Sequence, residues 1–414
     1  MRRVSLAGLA LVGALLLAIP SAFAKSDLVA ADPGITSSSI KIGGTFPLTG
    51  PASSYAPIPQ AMKAYFSYIN ARRGPDGKRG VYGRQIIFNY YDDGYNPVNS
   101  VQLQRKLVQE DKVFAVVGTL GTEVNQAVQP FLNSSKVPHV LISTGASEFG
   151  KDYAKYPWTI GWQPDYVAEG RLYGTDIRKN KPNAKIAILY QNDDLGKDFV
   201  NAFRGYLKED FDRRVVVSSY EVTEPTIDSH VVSLKASGAE AFLVAGTPKF
   251  AAQAIKKVDE IGWKPLFLIN LVSTSVSSTI VPAGPEKAVG IVAATMLKDP
   301  GDKKWADDPG IKWYRDHFAK YLSGADIGDA NYLFGTQQGQ ILEQVLKQCG
   351  DDLSRENIVR QSRSIRGLSL PTLIPGVTIN TGPESSSAYT QLQLQRWTGS
   401  SWELFGDVLS AGEK

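Results

Sequence analysis

The sequence predicts an α/β fold in two lobes, each built on a parallel-rich sheet. Three observations carry this. Short apolar, β-branched runs alternate with helical stripes along the chain, as in Val113–Val117 followed by Val124, Val128 and Leu132. The alternation occurs twice: VVGTLGTEVNQAV in the first half is echoed by FLVAGTPKFAAQAI in the second. The length, 414 residues, is more than one ordinary core fills and suits two domains.

The ends and the composition narrow the class. Arg2-Arg3, an apolar run from Leu6 to Ile19 and Ala22-Phe23-Ala24 form a secretion signal, with cleavage expected after Ala24. The alternative, a membrane anchor, needs a longer apolar run. Arg2-Arg3 alone hints weakly at twin-arginine export, and ordinary secretion is the reading adopted. Residues 25–38 are polar, with Pro and Gly, and read as a flexible leader; no Cys follows the cleavage site to carry a lipid. An exported, soluble chain of about 390 residues remains. A formal charge of +4 without basic clusters argues against nucleic-acid binding. Cys349, the only cysteine, excludes an intramolecular disulfide, and its spacing from Leu342, Val345 and Leu346 places it on a buried helix face.

In order, Ile40–Phe46 reads as a strand opening into Pro47-Leu48-Thr49-Gly50-Pro51, and residues 59–70 as a helix. The basic segment 72–80 is a solvated turn, because it lacks the Gly-Lys-Ser/Thr ending of a phosphate loop. Gln85–Tyr91 is a strand closing on Asp92-Asp93-Gly94, and a helix over 97–110 follows. These carboxylates invite a metal or acid/base reading, yet Asp-Gly before Asn96-Pro97 is ordinary turn and capping chemistry. The central unit, 113–149, delivers two hydroxyl-rich loops, Gly118–Thr122 and Ser143–Ser147, to one sheet edge. In open α/β sheets that edge holds ligands, and the first N–H groups of a helix there favour an anion.

Trp158–Trp162 marks the first crossing between lobes. The second half alternates helix 165–179, strand 185–190, a helix striped by Leu195, Phe199, Phe203, Leu207 and Phe211, strand 215–220, helix 229–236 and strand 241–245. A helix from Thr247-Pro248 leads to strand 266–269, ending at Asn270-Leu271. The apolar run 290–296 is expected to carry the chain back to the first lobe. Helices 310–321, 332–349 and 354–362 follow, then a terminal hairpin over 391–397 and 402–405. Several crossings make a hinge rather than a loose linker.

Catalytic chemistry finds no support. His139, His230 and His317 are far apart, with His139 in a buried strand. No Cys/His cluster has metal-ligand spacing, and no G-x-S-x-G or H-E-x-x-H motif occurs. Ser147 and Thr122 lack a neighbouring base. Neither a catalytic residue nor a metal or cofactor is expected.

The order and spacing of several short motifs resemble the periplasmic solute-binding proteins of the branched-chain amino acid type, receptors for ABC importers. They are Ile42-Gly43 with Pro47-Leu48-Thr49-Gly50, Ile69-Asn70-Ala71, Asp92-Asp93 with Asn96-Pro97, Gly118, Pro138 with Ser143–Ser147, and Asp194-Leu195-Gly196. The resemblance covers essentially the whole mature chain. It implies two Rossmann-like lobes (the type I periplasmic binding fold, or Venus flytrap), with a hinge and a ligand trapped by closure. The first lobe would comprise 39–160 with 294–378, and the second 161–293 with 379–414. Carried over residue by residue, the carboxylate anchors are Thr122 beside Gly121, and Gly145, Ala146 and Ser147. Tyr55 supplies a first-loop aromatic, while Leu195 and Thr247 stand where the family commonly has Tyr.

Leu271 is the departure. Amino-acid-binding members carry an acid there for the ligand ammonium, and no Asp or Glu occurs between Ile261 and Pro285. A buried ammonium without a counter-charge costs several kcal/mol. The expected ligand is therefore a small carboxylate without an α-amino group, aromatic or otherwise apolar. The alternatives are a branched-chain or other hydrophobic amino acid paired with Asp193 or Asp194, and a sensor module for a partner receptor. The resemblance further implies a periplasmic monomer that delivers to ABC permease subunits.

Overall fold

The computed structural model describes residues 32–382 and 387–410. The expected signal 1–24 lies outside them. The described part of the expected leader, from residue 32, makes contacts with the body of the fold. Ile35 bridges to Ile40, and the Asp32 carboxylate accepts the backbone N–H of Arg355 at 2.6 Å.

The first sheet is parallel throughout. Strands β1 (Ser39–Phe46), β2 (Gln85–Asp92), β3 (Ala115–Val117), β4 (His139–Ile142) and β5 (Thr159–Gly161) lie in the order β2-β1-β3-β4-β5. Helices α1 (Pro57–Ala71), α2 (Pro97–Gln109), α3 (Thr122–Ser134) and the short α4 (Glu148–Lys151) connect them. Period-2 alternation sorts the faces. Val116 packs with Leu107 of α2 and Val128 and Leu132 of α3, while Ala115 and Val117 join the core on the other face.

The chain crosses after β5 into α5 (Tyr166–Asn180), β6 (Ile186–Gln191), α6 (Asp194–Leu207), α7 (Phe211–Arg214), β7 (Val215–Tyr220), α8 (Asp228–Ala236), β8 (Ala241–Ala245), α9 (Pro248–Glu260), β9 (Leu266–Ile269), α10 (Val281–Ala283) and β10 (Val292–Thr295). The stripe ends earlier than its spacing predicts: α6 stops at Leu207, where Lys208 takes φ +50°, so Phe211 packs from a separate turn. The apolar run 290–296 does not itself make the crossing. Its β10 pairs parallel with β9 in the second sheet, because all four strand residues are buried there, and the chain leaves only afterwards.

Helices α11 (Pro309–Tyr321), α12 (Ala330–Cys349) and α13 (Arg355–Ser362) return to the first lobe. Close approach explains two glycines of α12. A Cβ on Gly335 would lie 2.2 Å from the Ile58 carbonyl oxygen, and one on Gly339 2.6 Å from the Tyr65 ring. Gln338 Nε2 donates to the Leu141 carbonyl at 3.0 Å, tying α12 to β4. Finally β11 (Gln391–Trp397) and β12 (Trp402–Ser410) add an antiparallel edge to the second sheet, in the order β12-β11-β10-β9-β8-β6-β7.

The crossings run close together. Trp162, after β5, packs on Tyr389 with ring centroids 4.7 Å apart, and Leu297, after β10, bridges to Leu373. Cys349 is buried, with its thiol pushed up to about 12 by burial. Among the described residues no helix is long and apolar enough to cross a membrane.

Candidate ligand-binding site

Both sheets turn the carboxyl ends of their parallel strands toward one cleft, the edge at which such sheets bind ligands. A cavity of about 880 Å³, counting space open to solvent, lies there, within the range of small-molecule sites. The first lobe contributes Tyr55 after β1, Tyr95 after β2, Leu120, Gly121 and Thr122 after β3, and Ser143 after β4. The second contributes Leu195 after β6, Thr247 after β8, and Leu271, Val272, Thr274 and Ser275 after β9. The crossings add Gln163, Tyr166, Met296, Leu297 and Asp299, and α12 adds Asn331 and Phe334.

Six of the nine residues expected to bind ligand thus meet in one cavity: Tyr55, Gly121, Thr122, Leu195, Thr247 and Leu271. Gly121 takes φ +112°, and a Cβ there would approach the Tyr95 ring to 2.6 Å, so the loop after β3 accepts no side chain at this point. Thr122, 1% exposed, shares a 2.8 Å hydrogen bond with the Thr144 hydroxyl. Gly145, Ala146 and Ser147 are not in the lining. The Gly145 carbonyl accepts from Tyr166 N, and a Cβ on Gly145 would meet the Pro164 carbonyl oxygen at 2.1 Å. Ser147 spends its backbone N–H and its hydroxyl on the Asp198 carboxylate of α6, at 2.7 and 2.9 Å. Its polar groups thus bond the other lobe, outside the cavity lining.

The acids held in reserve for an ammonium also lie elsewhere. Asp193 caps α6, accepting from Gly196 N at 3.3 Å and from Gln191 Nε2 at 2.6 Å, and Asp194 accepts from Gln126 at 2.9 Å. Asp299 lines the cavity instead, and among the described lining residues it is the sole charged group. Burial pushes its carboxyl up to about 6, offset in part by the Gly301 N–H that one oxygen accepts. The sequence does not single out Asp299, whose surroundings Lys-Asp-Pro-Gly have the composition of a turn, nor Tyr95, which takes φ +60° in the Asp-Gly-Tyr-Asn-Pro turn.

Burial holds the Tyr55, Tyr95 and Tyr166 phenols above their usual range, so all three remain hydroxyl donors. Tyr55 donates across the cleft to the Val272 carbonyl at 3.0 Å. Gln163 Oε1 and Thr247 Oγ1 are buried without a partner. Aromatic and aliphatic side chains make up most of the walls, with Ser143, Thr274, Ser275, Thr295, Asn331 and Gln395 among them. Apolar surface with a few polar groups binds and orients a small molecule.

Among the described residues no acid/base pair lines this space. His139 is buried in β4 and pushed down to about 3 by burial, His230 bonds Ser218 and Glu224, and His317 stacks between Trp313 and Tyr321. Asp92 and Asp93 do turn chemistry. Asp92 accepts from Leu48, Thr49 and Gly94, Asp93 accepts from Tyr95 N, and Asn96 caps α2. No cluster of three or more potential metal ligands occurs among the described residues.

Two sheets opening on one apolar cleft, with crossings gathered at its back, define a two-lobed solute-binding protein. The chain belongs to the periplasmic binding protein family, whose profile matches residues 39–401, and which comprises binding proteins rather than enzymes. It is similar to Leu/Ile/Val-binding protein homolog 7 of Brucella suis, 22% identical over 241 residues, 56% of this chain and 59% of that protein. An amino acid binding protein of Pseudomonas aeruginosa is 25% identical over 239 residues, 53% and 58% of the two chains. The match therefore spans about three-fifths of the length of these curated relatives.

Solved structures share the fold over nearly the whole chain. A possible leucine/isoleucine/valine-binding protein from Rhodopirellula baltica has TM-score 0.77 at 21% identity, covering 89% of this chain and 96% of that one. A branched-chain amino acid ABC transporter protein from Thermus thermophilus, with bound valine, has 0.77 at 18%, covering 91% and 98%. A fatty acid ABC transporter substrate-binding protein from Thermomonospora curvata has 0.74 at 20%, covering 92% and 94%.

Proposed function

We propose that this chain is the exported, periplasmic capture component of an ABC importer, cleaved after Ala24, acting as a monomer and delivering its ligand to membrane permease subunits. Its ligand in this reading is a small apolar carboxylic acid, aromatic or aliphatic, held in the interlobe cleft by closure. The carrying observation is the lining: Leu120, Leu195, Leu271, Val272 and Phe334 share the cavity with Thr122 at the head of α3, with no acid at Leu271. Hydroxyls and first-turn N–H groups suit a carboxylate. The apolar walls suit the rest of such a molecule. The fatty acid named for the Thermomonospora curvata neighbour is of this class.

Asp299 favours a second reading, a hydrophobic amino acid whose ammonium pairs with that carboxylate, in keeping with the names of the curated relatives. Titration calorimetry with desamino pairs separates the two: 4-methylpentanoate against leucine, and 3-phenylpropionate against phenylalanine. In the first reading the acids bind tighter, and Asp299→Asn leaves or improves their affinity. Preference for the amino acids, lost in Asp299→Asn, would replace it with the second.

A further inference from the structure

Beside the cavity, the lobes meet along a seam unusually rich in carboxylates. From the first lobe come Glu123 of α3 and Glu148 of α4; from the second come Asp193, Asp194 and Asp198 around the head of α6, and Asp165 at the head of α5. The seam is bonded across. Ser147 donates twice to Asp198, and Gln126 Nε2 donates to Asp194. Glu148 has a buried Oε1 without a partner.

We propose that closing the lobes takes up protons at this seam, with Glu148 the principal acceptor, so that the closed form is favoured as the pH falls. The inference rests on closure as the capture step but not on the ligand's identity.

Charge counting at the seam supports it. Facing Glu148 are Asp194 and Asp198 of α6 and Gln126 of α3, with Asp152 just beyond α4. Glu123 faces Asp194, Lys197 and Glu221, and Asp165 faces Lys151 and Arg171. Of the nearby cations, Lys197 lies 3.8 Å from Asp194, and Lys151 Nζ donates to the Ser147 hydroxyl at 2.7 Å. Carboxylates therefore outnumber cations, and burial adds to their repulsion. Burial and then Asp194 push Glu148 up to about 7, and burial pushes Asp193 to about 7 and Asp198 to about 6.

Opening separates Glu123 and Glu148 from the α6 acids and restores water around both sets, which returns a carboxyl toward its ordinary range. A carboxyl raised only in the closed form holds its proton there to higher pH, so closing binds protons and is opposed as the pH rises. For one group raised from about 4.5 to about 7, the closing constant grows roughly tenfold between pH 8 and pH 6.

The test uses the ligand-free mature chain, with one spin label on each lobe at Arg79→Cys and Lys256→Cys, both exposed sites, while buried Cys349 is left unlabelled. Pulsed electron–electron distance measurement between pH 8.5 and 5.5 is expected to show the closed population rising several-fold. In Glu148→Gln that population should already be raised at pH 8.5 and the dependence should be shallower. A distance distribution independent of pH, or an unchanged slope in Glu148→Gln, overturns the proposal. If Glu148→Gln fails to fold, Asp194→Asn, which removes the main repelling charge, is expected to flatten the profile in the same way. Because no ligand is added, a wrong ligand class leaves the result intact, whereas a chain that never closes defeats the capture reading as well.

Discussion

The carboxylate of Glu169 accepts the backbone N–H of Leu271 at 2.6 Å, so the cavity wall at Leu271 stands on a fully buried acid. The Tyr173 hydroxyl lies 2.6 Å from the same oxygen and 2.9 Å from the Ile269 carbonyl, so its single proton serves one of these acceptors at a time, and its oxygen accepts the Ala294 N–H at 2.9 Å. The other oxygen, Oε2, is buried without a partner. The acid that sequence reasoning found missing at Leu271 is thus present behind the backbone, where it fixes the loop instead of facing the cleft.

This arrangement sets a pH dependence of stability. Burial raises the Glu169 carboxyl to about 7, above the usual value near 4.5. The folded form then holds more protons than the unfolded form between those values, so Glu169 costs stability as the pH rises through that window, on the order of 3 kcal/mol in full. His139 acts in the opposite sense. Held near 3 by burial, it costs stability as the pH falls from 6.5. Urea midpoints of wild type and Glu169→Gln should converge near pH 5 and diverge by pH 8, the variant being relatively more stable at the higher pH. A constant difference between the two would remove Glu169 from the account.

Thr122 is the proposed carboxylate anchor, and it is open to a direct test. Its hydroxyl lines the cavity and is partnered by Thr144, so Thr122→Val should weaken a bound carboxylate by about 1.5–3 kcal/mol, as for a hydrogen bond to a charged group. Calorimetry with 3-phenylpropionate reads the loss, and an unchanged affinity removes Thr122 from the site. Ser147→Ala is expected to act differently. By cutting the bonds to Asp198 it should loosen the closed form for every ligand tested by a similar factor.

The proposed closure can be tested in solution. The contacts from Tyr55 to Val272 and from Gln126 to Asp194 form only when the lobes meet, and a ligand touching both lobes selects that arrangement. Small-angle scattering should give a smaller radius of gyration with saturating ligand than without it. Superimposable profiles would mean a rigid cleft or a ligand held by one lobe.

Leu271, 8% exposed, separates the two ligand readings by design. In the first reading, an α-amino analogue should bind more weakly than its desamino acid by roughly 3 kcal/mol, from an unpaired ammonium. Leu271→Glu should shift the affinity ratio toward the amino acid, since the new carboxylate supplies a counter-charge and penalises the neutral-ended ligand. The observation to watch is that ratio in wild type and variant. Wild-type preference for leucine over 4-methylpentanoate would hand the role to Asp299.

Much of the architecture is written in local periodicity. Strands β8 and β9 fall at Ala241–Ala245 and Leu266–Ile269, where the apolar runs place them, because buried parallel strands need unbroken apolar side chains on both faces. The stripe of Leu195, Phe199 and Phe203 is likewise buried core of α6, as four-residue spacing requires. The helical turns Leu271–Ser273 and Val276–Ile280 have no such spacing and went unread.

The sequence by itself determined the α/β class, the sheet edge that faces the cleft, and the hydroxyl-rich loops at that edge, since each is set by residues within one strand–helix unit. Which hydroxyl meets the cavity was decided only by the tertiary structure. Thr122 and Ser147 look alike in sequence, yet one lines the cleft and the other bonds Asp198, fifty-one positions away. Asp299 enters the lining from a crossing segment, and Glu169 supports Leu271 from 102 positions away. Contacts of this kind depend on how the two lobes close on one another, and a pattern that repeats every two or four residues carries no record of that geometry.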